Sequence, residues 1–393
     1  MNKIQALNPA RVAWCCEQAD LTLDDLAVAT GISLQTLHRT MDGEDALSVP
    51  QLGKIAAVFN RGLLFFLEPG PVDDTALRSP QFRSMSNRKP HLSPWLMGFI
   101  QRAERQRALY LSLLEEMDEV PIADWFPEYL TLTTCRPQDA AGQARIWLGL
   151  DDNPDKAVNF RNLREAVEAR GIMVLVSNGY RGLWQIPKDS SIRGFCLSFN
   201  RLPLIAVKKQ NSEGAQAFTL MHELGHLLLH RESTIDHEED FHIDPVDYRN
   251  KETQANAFAG HVLVPDTFLD RIPLNIPPLD EVTAYDEHFK GFAKTWGVSV
   301  EVVLRRLMNA GRLPKERYMA YRSWKRRLPA PPSTGGSRHR HLEPLKMFGR
   351  GYVETVLDAL HGNFITLAKA SNYLDNLKIK DLRQIEATHH IRV

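Results

Sequence analysis

Apolar residues recur every three or four positions along most of this chain, the signature of amphipathic helices. Residues 23–30 carry one such pattern. Ser33 then stands as a cap before a second, running through Met41, with Gly31 and Ile32 as the turn between them. Residues 43–47 read as a loop and 48–59 as a further helix. Past a Pro-, Ser- and Arg-containing connector at 69–90, helical periodicity returns at 94–117, 137–148 and 159–169, the last leading into a short strand at 172–176. The tail from 345 to 384 reads as three short helices. One carries a stripe of Val353, Val356, Leu357 and Leu360, and another Leu367, Ala370 and Leu374. Ahead of it, PAPPSTGGSRHRH at 329–341 is a flexible basic stretch.

The most informative segment is FTLMHELGHLLLH, residues 218–230, where polar residues interrupt an otherwise apolar helix. His222 and His226 are four apart, so both imidazoles lie on one face about one turn apart and can reach a single Zn²⁺. Glu223 is placed to take a proton from water activated by that ion. Two His and a Glu buried without partners would be costly, and a cation satisfies all three. Two ligands leave such a site incomplete. His230 fails as the third, because it lies about 12 Å along the helix from His222 at ~1.5 Å per residue. Leu229 and Glu232 also stand where the longer H-x-x-G-x-x-H pattern needs Gly and His. The run 236–242, DHEEDFH, is dense in possible ligands but reads as a solvated loop. Glu252 is the better candidate. It opens ETQANAFAGHVLVP, whose Ala255, Phe258, Ala259, Val262 and Leu263 mark a helix with one buried face. Asn256, one turn on, offers an amide able to support a neighbouring group.

These segments resemble the ImmA/IrrE family of metallo-endopeptidases. The likeness is carried by FTLMHELGHLLLH, ETQANAFAGHVLVP and FAKTWGVSVEVVLRRLMNAGRL (292–313), with LREAVEARGIMVLV and IRGFCLSFNRLPLIAV upstream. The resemblance implies a zinc-dependent peptidase with His222, His226 and Glu252 as metal ligands and Glu223 as general base. It leaves the oxyanion-stabilising residue open among Tyr248, His242 and His261. Residues 1–68 are similar to the lambda-repressor-like (Xre) helix-turn-helix, with Ala27, Gly31, Ile32 and Leu37 at its turn and buried contacts. That likeness offers Gln35, His38 and Arg39 as DNA contacts.

Bulk properties narrow this picture. The 48 basic and 48 acidic residues cancel, so no global attraction to nucleic acid is implied. Within 2–68, five Lys and Arg face eight Asp and Glu, a net −3 that is poorly suited to neutralising phosphates. A protein-docking role for that unit stands as the rival to DNA binding. Four cysteines without a C-x-x-C pair point to reduced thiols. No basic stretch followed by an apolar core opens the chain, and the apolar runs at 63–67 and 172–176 fall far short of the ~20 residues a membrane helix needs. A cytoplasmic protein is expected.

The expected fold class is α+β and mostly helical: an N-terminal helix-turn-helix bundle, a gluzincin-like metallopeptidase core with a small sheet, and a C-terminal helical tail. The expected division is 1–68 helix-turn-helix, 69–135 connector and helix, 136–318 ImmA/IrrE-like domain, 319–344 basic flexible linker and 345–393 helical module. The expected function is narrow-specificity, zinc-dependent proteolysis of a repressor or other regulatory protein, with operator DNA as a second partner and no membrane. The alternative is an antitoxin and transcriptional regulator that binds a toxin encoded nearby, its metal site structural or vestigial.

Overall fold

A computed structural model describes residues 3–5, 7–18, 21–59, 61–72, 94–117, 126, 136–156, 159–179, 183–187, 190–210, 212–237, 251–273, 275–277, 279–328 and 338–390. The chain divides into two compact units, Met1–Arg105 and Gln106–Val393. Among the described residues it is mostly helical with one small sheet, the α+β class expected.

In the first unit, α1 (Pro9–Gln18), α2 (Leu23–Thr30), α3 (Leu34–Met41) and α4 (Val49–Val58) precede a 3-10 turn at Leu63–Phe66. Local chemistry sets each boundary. Thr22 Oγ1 accepts from Asp25 N at 3.1 Å while the Asp25 carboxylate accepts from Thr22 N at 3.0 Å, a reciprocal cap on α2. The helix ends at Gly31, whose φ of 65° is left-handed and suits a residue without Cβ. Ser33 caps α3 through Thr36 N, and Gln51 accepts from Ser48 N at the head of α4. Leu26, Ile32, Leu37, Leu52, Ile55 and Phe59 then close on Val12 and Phe66 as one core. The helices and turn expected in this stretch are present at their positions.

Helix α5 (Pro94–Glu116) runs across the division in sequence. The second unit continues with α6 (Pro137–Leu148), α7 (Phe160–Glu168), β1 (Met173–Val176), β2 (Ile192–Leu197) and β3 (Leu204–Val207). Next come α8 (Glu213–Gly225), a π turn at His226–His230, β4 (Thr234–His237) and α9 (Lys251–Leu263). Strand order is β1-β3-β2-β4, with β1 parallel to β3 and β2 antiparallel to both β3 and β4. Every residue of β1 and β3 is buried, which is why both read as unbroken apolar runs without alternation. Helix α8 packs on β2 and β3 and, most extensively, against α9. From Gln216 to Gly225 it is buried all round, a core helix and not a surface one. Gly225 allows the close approach: a Cβ there would meet the Phe258 ring at 3.0 Å and Ala255 Cα at 3.4 Å.

Short α10 (Asp266–Leu269), then α11 (Tyr285–Thr295), α12 (Val300–Asn309) and α13 (Lys315–Arg327) complete the core. Helix α13 corrects one expectation, because it occupies 319–327, the start of the stretch expected as a linker. The physical cause is an aromatic pair at i and i+3. Tyr318 and Tyr321 are buried in the core, and the Tyr321 hydroxyl donates to Asp286 at 2.6 Å. Residues 329–337 of that stretch lie outside the described residues. The tail holds four helices where three were expected: α14 (Glu343–Phe348), α15 (Arg350–His361), α16 (Leu367–Tyr373) and α17 (Ile379–His390). Gly349, at φ 87°, separates α14 from α15. Arg164 on α7 holds the tail in place. It donates to Glu168 at 2.7 Å, to the carbonyl of Lys346 at 2.7 Å and to that of Val174 at 2.5 Å.

Cys15, Cys16 and Cys196 are buried free thiols, and burial pushes the Cys15 thiol up to about 12. Among the described residues no helix is long and apolar enough to cross a membrane.

Candidate metal centre

Two helices supply the donors. His222 from the last turn of α8 and His226 from the head of the π turn that continues it face the same way, and Glu252 meets them from the first turn of α9. Nε2 of His222 and Nε2 of His226 are 3.0 Å apart. Oε2 of Glu252 lies 3.2 Å from the first and 3.4 Å from the second. Ligands 2.0–2.1 Å from a zinc ion at tetrahedral angles stand about 3.3 Å from one another. The three donors therefore fit one small cation. The two histidines are 0% and 1% exposed, so solvent does not satisfy the converging nitrogens.

Charge follows the same geometry. Burial lowers the pKa of His226 and favours the neutral imidazole that a metal requires. Burial alone would raise Glu252, but its bonds with His222 and His226 outweigh it and hold the carboxyl well below the usual range.

Glu223 is wholly buried beside these ligands, and the sheet supports it. In the antiparallel pair β2–β4, Cys196 stands opposite Thr234 and Gly194 opposite Asp236, so all four share the face toward α8. The Thr234 hydroxyl donates to Glu223 Oε2 at 3.3 Å, and the Cys196 thiol bonds the same carboxylate. Burial, then the charges of Asp236 and Glu252, push the Glu223 carboxyl well above the carboxylate range, while those two bonds act the other way. A cation held by the three donors would also oppose the rise. Gly194 makes the arrangement possible. A Cβ there would come within 2.7 Å of the Thr219 methyl, 2.8 Å of the Ala206 carbonyl oxygen and 3.1 Å of Glu223 Oε1.

The structure thus brings His222, Glu223, His226 and Glu252 together. It also adds residues the sequence reading passed over. Asp236, expected in a solvated run, is 1% exposed on β4, with Oδ1 3.9 Å from His222 Nε2. Its only sequence signal was the polar-apolar alternation of Thr234-Ile235-Asp236. Cys196 gave none beyond its place in an apolar strand. Asn256 is 3% exposed, yet its amide has no hydrogen-bond partner among the described residues, so it does not support a ligand as expected. His230, rejected as a ligand, instead touches one: its Nδ1 is 3.0 Å from His226 Nδ1 and its Nε2 is 2.9 Å from Gln254 Oε1. Burial pushes His230 down to about 4.

Of the three oxyanion candidates, Tyr248 and His242 lie outside the described residues. His261 sits about 13 Å along α9 from Glu252 at ~1.5 Å per residue. It donates to the Ala257 carbonyl at 2.8 Å and is not part of the donor group. Gln35, His38 and Arg39 share the exposed face of α3 in the first unit. Arg39 is already engaged there, donating to Glu44 at 2.6 Å.

Residues 168–308 match the model of the Peptidase_M78 family, the IrrE N-terminal-like domain. The match spans β1 to α12 and contains every donor above, and it supports a metallopeptidase of ImmA/IrrE kind for this stretch. It does not reach the first unit. No curated protein matches the chain.

Proposed function

We propose that this protein is a zinc-dependent endopeptidase of narrow specificity that acts on a regulatory protein. The observation that carries the reading is the convergence of His222, His226 and Glu252, with the buried carboxylate of Glu223 close enough to feel the charge of Glu252. The two imidazoles and one carboxylate form the donor set of a catalytic zinc site, which leaves one position for water or substrate. A bound Zn²⁺ supplies Lewis acidity there, acidifying water toward pKa ~7 and polarising a peptide carbonyl.

The chain's own residues do the rest. His222, His226 and Glu252 would hold the ion where the end of α8 meets the first turn of α9. Glu223, oriented by Thr234 and Cys196, accepts the proton of the attacking water and returns it to the leaving amine. The regulatory character of the substrate rests on the resemblance to ImmA/IrrE enzymes and on the helical unit that precedes the site.

Glu223→Gln tests the reading. The variant is expected to retain one zinc per chain by metal analysis. Its cleavage of proteins encoded beside this gene, followed by mass spectrometry, should fall by about 10²–10⁴-fold. Equal cleavage by the variant would overturn the assignment of the base. A wild type that holds zinc and blocks a neighbouring toxin without cutting anything would favour the antitoxin alternative.

A further inference from the structure

The donor set accounts for His226 Nε2 but not for what its other nitrogen touches. Beyond Gly225 the helix opens into a π turn, His226–His230, a local widening that recurs at functional sites. The turn brings the rings of His226 and His230 to 5.0 Å between centroids, with Nδ1 facing Nδ1 at 3.0 Å. Two imidazole nitrogens at that distance bond only when one of them carries the proton and the other does not.

The metal decides which. A ligand nitrogen must present a lone pair, so a neutral His226 that binds through Nε2 keeps its proton on Nδ1. That proton is donated to His230 Nδ1, which therefore accepts. His230 then carries its own proton on Nε2, 2.9 Å from Gln254 Oε1, and donates it there. Each link leaves the next a single option, ending on an amide oxygen two residues beyond the Glu252 ligand. Reversing Gln254 to offer N–H would reverse every link, protonate His226 Nε2 and cost the metal a ligand.

We propose that His230 and Gln254 are positioning residues, a directional hydrogen-bond chain that fixes the tautomer and ring orientation of His226 for metal binding. The proposal rests on the zinc reading above and extends it from the ligands to their support, which in metal sites typically accounts for 10–100-fold of affinity.

The test measures Zn²⁺ affinity of the full-length protein by competition with a chromophoric chelator, with the melting temperature of each metal-free variant recorded alongside. His230→Leu should weaken zinc binding by about 10–100-fold. His230→Asn, which returns an acceptor oxygen near the place of Nδ1, should recover most of that loss. Gln254 gives a second pair that does not depend on His230 variants folding. Gln254→Glu, an acceptor only, should bind zinc at least as well as the wild type, whereas Gln254→Lys, a donor only, should bind more weakly at an unchanged metal-free melting temperature. Wild-type affinity in His230→Leu, or equal affinity in the two Gln254 variants, would overturn the proposal. The zinc reading has its own control: wild type must bind one zinc and His226→Ala must lose it. Failure there removes both readings, while success there with unaffected His230 and Gln254 variants removes only this one.

Discussion

This chain gathers polar side chains on a helix in two places, and it builds them in opposite ways. On α3, Gln35, His38 and Arg39 share an exposed face, where water and a neighbouring Glu44 satisfy them. At the end of α8 and the start of the π turn, His222, Glu223 and His226 are 0–1% exposed, in a helix buried all round from Gln216 onward. Exposed polar groups cost a fold almost nothing, so their grouping on α3 carries little information about chemistry. Buried ones cost several kcal/mol unless something offsets the loss of water. The α8 group is therefore the one whose burial needs an offset, and the converging donors of His222, His226 and Glu252 are spaced for a cation. The same contrast separates their supports. Caps on α2, α3 and α4 come from residues within three positions, whereas Glu223 is held by Thr234 and Cys196 from two different strands.

Removing the metal should break this comparison most strongly. An ion bound only by the folded state stabilises it by about 4 kcal/mol when present at 1,000 times its dissociation constant. Chelation should lower the melting temperature of the wild type accordingly and leave that of Glu252→Ala, already short of a ligand, nearly unchanged. Equal chelator sensitivity in the two proteins would remove Glu252 from the ligand set.

A pair of glycines sharpens the contrast at smaller cost. Gly53 lies inside α4, and a Cβ there meets nothing within 4 Å. Gly53→Ala should stabilise the first unit by about 0.5–1 kcal/mol, since alanine is the better helix former and restricts the unfolded chain. Gly194→Ala places its methyl against backbone as well as side chains and should cost about 1–3 kcal/mol. It should also lower activity by displacing Glu223, whose Oε1 would lie 3.1 Å from the new Cβ. Denaturant melts of both variants measure the two signs. A neutral Gly194→Ala would show that the glycine is not what makes room for the base.

The same division governs what could be read in advance. Helical periodicity, caps and the spacing of His222, Glu223 and His226 are local, so they stand in the sequence. Glu252 was within reach because it opens an amphipathic helix in its own right. The strand pair beneath the base was not, because Cys196 and Thr234 are 38 residues apart and meet only through the antiparallel register of β2 and β4. Asp236 illustrates the limit most plainly. Four of the seven residues in its run are acidic, which reads as solvated surface, yet its place opposite Gly194 buries it. His230 fails as a ligand both by its distance from His222 and by the missing Gly and His of the longer motif, and its contact with His226 depends on a π turn that periodicity does not announce.

The smallest effect is expected on α3. Arg39 and Glu44 are 55% and 51% exposed, and an ion pair so placed contributes about 0–1 kcal/mol. Arg39→Ala should therefore leave urea melts of the protein almost unshifted, in contrast to any change at the buried cluster. The same variant separates the two roles open to the first unit. If α3 meets DNA, losing one phosphate contact should weaken duplex binding across sequences and reduce the slope of log affinity against log salt by about one. The net charge of −3 over residues 2–68 argues for the other outcome, in which anisotropy titrations with duplex DNA at physiological salt are the same for wild type and Arg39→Ala because neither binds. An exposed polar face would then mark a surface for protein, and α8 would remain the helix whose polar residues carry chemistry.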